Sequence, residues 1–210
     1  MPSPEIKICG VTTPEALDAS IAARADYVGF NFYPSSPRFL TLGDAAELGA
    51  RAAGRIAKVG VFVDPDDGTL AEAIAAARLD AVQLHRVTAA RRAEVRQRFG
   101  LPVWAVIEIS RPADLAACGH LDSFDRVIFD AKTPRGALPG GMGLSFDWEW
   151  LSGVSMPGPW GLAGGLSPEN VAQAVRITRA PLVDACSGIE SAPGVKAVDR
   201  IAAFCKAARA

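Results

Sequence analysis

One pattern runs through the chain eight times: a short β-branched run, a turn, then an Ala-rich stretch with apolar residues every three or four positions. Strand-type runs fall at about 6–10 (IKICG), 27–32 (YVGFNF), 57–63 (AKVGVFV), 81–85 (AVQLH), 103–109 (VWAVIEI), 126–130 (RVIFD), 160–164 (WGLAG) and 182–186 (LVDAC). Helical stretches separate them, PEALDASIAARA, DAAELGARAA, TLAEAIAAARL, AARRAEVRQRF and SPENVAQAVRI, and VKAVDRIAAFCKAA closes the chain. The helix after the fifth strand is short and poorly marked. Eight such units in 210 residues predict an α/β fold, a single-domain (β/α)8 TIM barrel over residues 1–210, whereas a doubly wound sheet usually has about five or six strands.

Composition narrows the partners. Half the residues are hydrophobic and the formal net charge is -1, so there is core enough for one domain and no basic field to bind nucleic acid or an anionic membrane. No apolar run approaches the ~18 residues of a membrane helix, and MPSPEIKICG lacks the marks of a secretory signal. A cytoplasmic protein acting on a small molecule is expected. The four cysteines form no CxxC pair and the two histidines no ligand-spaced cluster, so neither a disulfide framework nor a metal site is expected.

In such barrels the chemistry gathers at the C-terminal ends of the strands. With Ile6 and Ile8 facing the outer helices, alternation turns Lys7 and Cys9 into the barrel. Taken alone, Cys9 reads either as a small core hydrophobe or as a thiol presented at a strand end. The same counting turns His85, Asp130 and Asp184 inward on strands 4, 6 and 8, with Glu108 a further candidate on strand 5. A buried Lys7 needs a counter-charge. Asp184 is the expected partner because strand 8 neighbours strand 1, with Glu108 second, and the pair could favour a thiolate at Cys9.

Two loops suit a phosphate. After strand 7, GLAGGLSPENV offers Gly164 and Gly165 for close backbone approach, with Ser167 and Pro168 reading as N-cap and first helical residue. After strand 8, ACSGIES offers Ser187 and Gly188. Backbone N–H groups there could meet a phosphate, or the glycines could simply make tight turns. GGMG at 140–143 lacks the third glycine and the context of a dinucleotide fingerprint. The stretch AKTPRGALPGGMGLS reads as a mobile loop covering the pocket, or as a surface loop without a role.

With KICGVT, GFNFYPSSPR, VQLH, FDA followed by GG.G..FDW, AGGLSPENV and VDACSGIES..GVK in barrel order, the whole chain resembles the phosphoribosylanthranilate isomerases of tryptophan biosynthesis. The resemblance implies an Amadori rearrangement of N-(5-phosphoribosyl)anthranilate to 1-(o-carboxyphenylamino)-1-deoxyribulose 5-phosphate, with no cofactor and no metal. It implies Cys9 as general base and Asp130 as general acid, and Arg38 near the anthranilate carboxylate. His85 and Asp184 are further expected pocket residues, and Gly164, Gly165, Ser187 and Gly188 are expected at the phosphate. Members occur as monomer or homodimer. Asp130 alone could also be a loop anchor. A related sugar-phosphate isomerase typically uses two aspartates, whereas strand 1 here offers Cys9; a catalytically impaired binding barrel is the remaining alternative. Three positions depart from the family pattern: Arg86 stands for a glycine, Met142 for a small polar residue and Cys186 for a serine. Arg86 could meet substrate anions or face solvent.

Overall fold

The computed structural model describes residues 3–119, 124–133, 140–153, 156 and 158–210. Eight parallel strands close into one barrel in sequence order: β1 Glu5–Cys9, β2 Tyr27–Asn31, β3 Ala57–Val63, β4 Ala81–His85, β5 Val103–Ile109, β6 Arg126–Ala131, β7 Trp160–Leu162 and β8 Leu182–Ala185. The seam is the β1–β8 pairing, which sets Lys7 opposite Asp184 and Ile8 opposite Ala185. Around the barrel run α1 Pro14–Ala22, α2 Leu42–Ala52, α3 Asp67–Ala77, α4 Ala89–Phe99, α5 Val171–Thr178 and α6 Val198–Ala208.

Short polar caps start the first four helices. Thr13, Thr41, Asp66 and Thr88 each accept a hydrogen bond from a backbone N–H three residues on, and each such cap stabilises by about 1 kcal/mol. Outward-facing Ile6, Ile8, Val28, Phe30, Phe62 and Phe129 belong to one core cluster with the buried residues of the helices. Inside the barrel, Val59, Ala81, Trp104, Ile128, Ala163 and Leu182 form a separate apolar plug. That plug fills the barrel interior, as expected of the fold, and the polar side chains nearer the strand ends stand above it.

The weakly marked stretch after β5 is short, a 3-10 segment over Pro112–Gly119, in keeping with the sequence. Two local expectations fail. Ser167 and Pro168 do not start α5, which begins at Val171 after Asn170. The cause is the Asn170 amide, which donates to the Gly165 carbonyl and accepts from Ser167 N–H, both at 2.8 Å, and so ties residues 165–170 into a turn. Strand 7 is also shorter than expected, ending at Leu162 before Gly164 takes a left-handed φ of 87°. Residues 134–139 of the expected covering loop lie outside the described residues, while Gly140, Gly141 and Met142 line the pocket.

Candidate active site

At the C-terminal mouth of the barrel one pocket is lined by Cys9, Arg38, His85, Asp130, Asp184 and Ser187, together with Gly164 and Gly165. Alternation along parallel strands delivers these side chains. Lys7 and Cys9 point inward from β1, and Gly29, paired with Cys9 on β2, leaves the room they need: a Cβ there would lie 2.9 Å from the Cys9 sulfur and 3.3 Å from Lys7 Nζ.

Lys7 is fully buried and donates to Asp184 Oδ2 at 2.6 Å, so the counter-charge expected for it is in place. Burial lifts the Asp184 carboxyl up to about 7 against the pull of Lys7. Burial would lower the Lys7 ammonium, but Asp184 and Cys9 hold it above its ordinary value. Asp184 Oδ1 has no partner among the described residues, and neither has the buried Oε1 of Gln83, another pocket residue.

Asp130 sits on β6 between two left-handed glycines. A Cβ at Gly140 would lie 2.9 Å from its Oδ2, and one at Gly164 would lie 3.1 Å from its Oδ1. Backbone this close strips water from the carboxyl, and burial, with Asp184 nearby, pushes it up to about 7. One hydrogen bond, from Ala131 N–H at 2.8 Å, opposes the shift. His85 moves the other way: burial, then Lys7 and Arg86, lower it to about 3. Its imidazole is therefore neutral, with Nε2 3.3 Å from the Gln83 amide nitrogen.

The sequence leaves the protonation state of Cys9 open, and Lys7 beside it does not tip the thiol to the anion. Its hydrogen bond with Cys186 and its burial raise the Cys9 thiol well above its ordinary value, outweighing Lys7. The charge is favoured on Cys186 instead, lowered to about 6 by the hydrogen bond from Cys9 and, against burial, by Lys196 and Arg38. Two interacting thiols titrate as a pair, so one proton is shared between them once the first has left.

Behind the thiols lies a charge cluster that the sequence reading passed over. Glu190 accepts from Arg38 Nε at 2.8 Å, from Arg38 Nη2 at 2.7 Å and from Lys196 Nζ at 2.6 Å, all nearly enclosed. Two cations share one anion, which leaves a net positive charge, and Lys196 Nζ lies 3.7 Å from the Cys186 sulfur. Arg38 Nη2 also donates to the Gly141 carbonyl at 3.1 Å, so the edge of its fork through Nε is committed and its Nη1 lies beside Gly141 in the pocket. The signal was present in the motif SGIES..GVK, whose Glu and Lys carry this cluster.

At the other side of the mouth Gly164, Gly165 and Ser187 meet Gly143 and Leu144. A Cβ at Gly165 would lie 3.1 Å from the Leu144 carbonyl, and the Ser187 hydroxyl stands close to Gly143. Gly188 stands behind this wall, where a Cβ would lie 2.1 Å from the Leu166 carbonyl. Its role is to let the two loops touch. Glu108 stands in register with Asp130 but borders a different cavity with Arg92. Arg86 is exposed, on left-handed backbone, and Met142 is about half exposed at the rim.

The arrangement joins a carboxyl that keeps its proton near neutrality, a thiol pair that loses one, and a glycine-rich wall. The model of the N-(5'-phosphoribosyl)anthranilate (PRA) isomerase family matches residues 6–207. The N-(5'-phosphoribosyl)anthranilate isomerase of Paramagnetospirillum magneticum is 53% identical over 208 residues, covering 98% of this chain and 97% of its own. The crystal structure of phosphoribosyl anthranilate isomerase from Thermotoga maritima superposes with a TM-score of 0.87 at 32% identity, with 98% of both chains covered. A further structure, of the enzyme in complex with reduced 1-(o-carboxyphenylamino)-1-deoxyribulose 5-phosphate, gives 0.83 at 30% identity, again over 98% of both chains.

Proposed function

The chain belongs to the N-(5'-phosphoribosyl)anthranilate isomerase family, and from that membership we propose how its own residues carry out the reaction. The protein converts N-(5-phosphoribosyl)anthranilate into 1-(o-carboxyphenylamino)-1-deoxyribulose 5-phosphate, an Amadori rearrangement within tryptophan biosynthesis. Opening the furanose needs a proton on the ring oxygen, and the resulting Schiff base must then lose a proton from C2' to give an enolamine that ketonises. One acid and one base suffice, and the scheme calls for no cofactor or metal.

Asp130 is the acid. The observation that carries the scheme is its carboxyl, enclosed by Gly140 and Gly164 and raised to about 7, so that a proton is available near neutrality. Cys9 is the base. It accepts the C2' proton as a thiolate when the proton it shares with Cys186 sits on the latter, with Lys196 and Arg38 stabilising the negative pair. Arg38, anchored by Glu190, meets the anthranilate carboxylate with Nη1. Neutral His85, with the buried acceptors of Gln83 and Asp184, receives the sugar hydroxyls. The phosphate lies on the backbone of Gly164, Gly165 and Ser187, where Gly188 keeps the two loops in contact.

Residues 1–210 form one domain in this reading, acting as a monomer or a homodimer. A cytoplasmic place and a small phosphorylated substrate, with no nucleic acid or membrane partner, go with the reading. Among the described residues no helix is long and apolar enough to cross a membrane, and the net charge of -1 offers polyanions nothing.

The test is the fluorescence of chemically generated phosphoribosylanthranilate, which disappears on isomerisation. Pure, folded protein should accelerate that loss; no acceleration would overturn the reading.

A further inference from the structure

We propose that Cys9 and Cys186 are a modification site for hydroperoxides, which convert the pair to a disulfide across the β1–β8 seam. Cys9 ends β1 and Cys186 follows Ala185, the last residue of β8, so the two come next to each other just past Ile8 and Ala185, the last paired residues of that seam. Neighbouring strands run about 4.8 Å apart, inside the Cα separation that a disulfide spans. Both side chains point to the barrel mouth, and both line the pocket.

The two thiols differ in ways that assign them different parts. Cys186 is only half-buried and has Lys196 Nζ 3.7 Å from its sulfur, whereas Cys9 is 8% exposed. The positive Arg38–Glu190–Lys196 cluster favours the anion on Cys186, the form that attacks peroxide. Its sulfur breaks the O–O bond, becoming a sulfenic acid while the other oxygen leaves as hydroxide or alkoxide. The Cys9 sulfur then forms the S–S bond and expels the hydroxyl as water. Two electrons, one from each sulfur, have reduced one hydroperoxide to water plus water or an alcohol. A serine at 186 could not take part.

The loss of activity that follows rests on the reading of Cys9 as the base, whereas the cross-link does not. Full-length protein is treated with hydrogen peroxide, alkylated, digested with trypsin without reductant and mapped by mass spectrometry, with isomerase activity followed in parallel. Peptide 8–24 joined to peptide 180–196 should appear as activity falls, and dithiothreitol should return both to the starting state. In Cys186→Ser inactivation should be roughly tenfold slower, because the remaining thiol is mostly protonated, and reductant should not reverse it. A wild-type protein that loses activity without forming that cross-link overturns the proposal. So does a Cys186→Ser protein inactivated as fast and as reversibly as wild type. A cross-link formed with activity intact upholds the disulfide and removes Cys9 from the role of base.

Discussion

Asp130 and the thiol pair set opposite limits on pH. Asp130 must carry its proton, so kcat/KM should fall as pH rises through about 7, its carboxyl value in the fold. The thiol pair must have lost one proton, so kcat/KM should also fall as pH drops through about 6, the value favoured at Cys186. A narrow bell between these limits is expected, and a profile flat from pH 5 to 8 would contradict it. Cys186→Ser should push the acid limb to higher pH, since a hydroxyl cannot hold the charge that Lys196 and Arg38 stabilise. Cys9→Ser and Asp130→Asn should each lower kcat by about 10²–10⁴-fold with thermal unfolding nearly unchanged. Wild-type turnover in either would remove that residue from the scheme.

The loops after β7 and β8 act as one element because Gly188 lets their backbones touch. Gly188→Ala places a methyl 2.1 Å from the Leu166 carbonyl, and a main-chain atom has to move. Inorganic phosphate should then inhibit about tenfold more weakly, ~1.4 kcal/mol, while circular dichroism stays native. Unchanged phosphate inhibition would place the anion elsewhere. At this scale the strands were legible as short β-branched runs, buried on both faces and separated by turn residues. The inward turn of Lys7, Cys9, His85, Asp130 and Asp184 followed from counting by twos. The start of α5 was hidden, since Ser167-Pro168 carries the signature of a cap and only the Asn170 side chain, folded back onto Gly165, delays the helix. The Glu190 cluster was hidden for a different reason. Glu190 and Lys196 lie six positions apart, but Arg38 reaches them from the loop after β2, 152 positions away, and no local periodicity marks such an encounter. That Cys186 stands beside Cys9 was not read from the sequence, which marked it only as a departure from a serine, and which sulfur carries the charge depends on that unseen cluster.

At the scale of the whole molecule the β1–β8 seam carries a buried ion pair, Lys7 with Asp184. Lys7→Met would leave Asp184 without its cation, in a place where only 5% of its side chain meets water. Removing one partner of a buried pair costs roughly 3–5 kcal/mol, which urea unfolding at neutral pH should show. The deficit should shrink toward pH 5. Burial raises Asp184 in the fold even against Lys7, and without that pull it is raised further, whereas it titrates near ~3.9 when unfolded, so the protonated fold is favoured at low pH and that contribution is lost as pH climbs. An equal deficit at both pH values would mean the carboxyl stays ionised in the variant. The seam has a chronological meaning as well. Lys7 and Asp184 are 177 positions apart, and Cys9 waits for Cys186 in the same way. A nascent chain therefore carries Cys9 and Lys7 long before β8 is made, yet their pocket stays unbuilt until that strand has emerged from the ribosome and shut the ring.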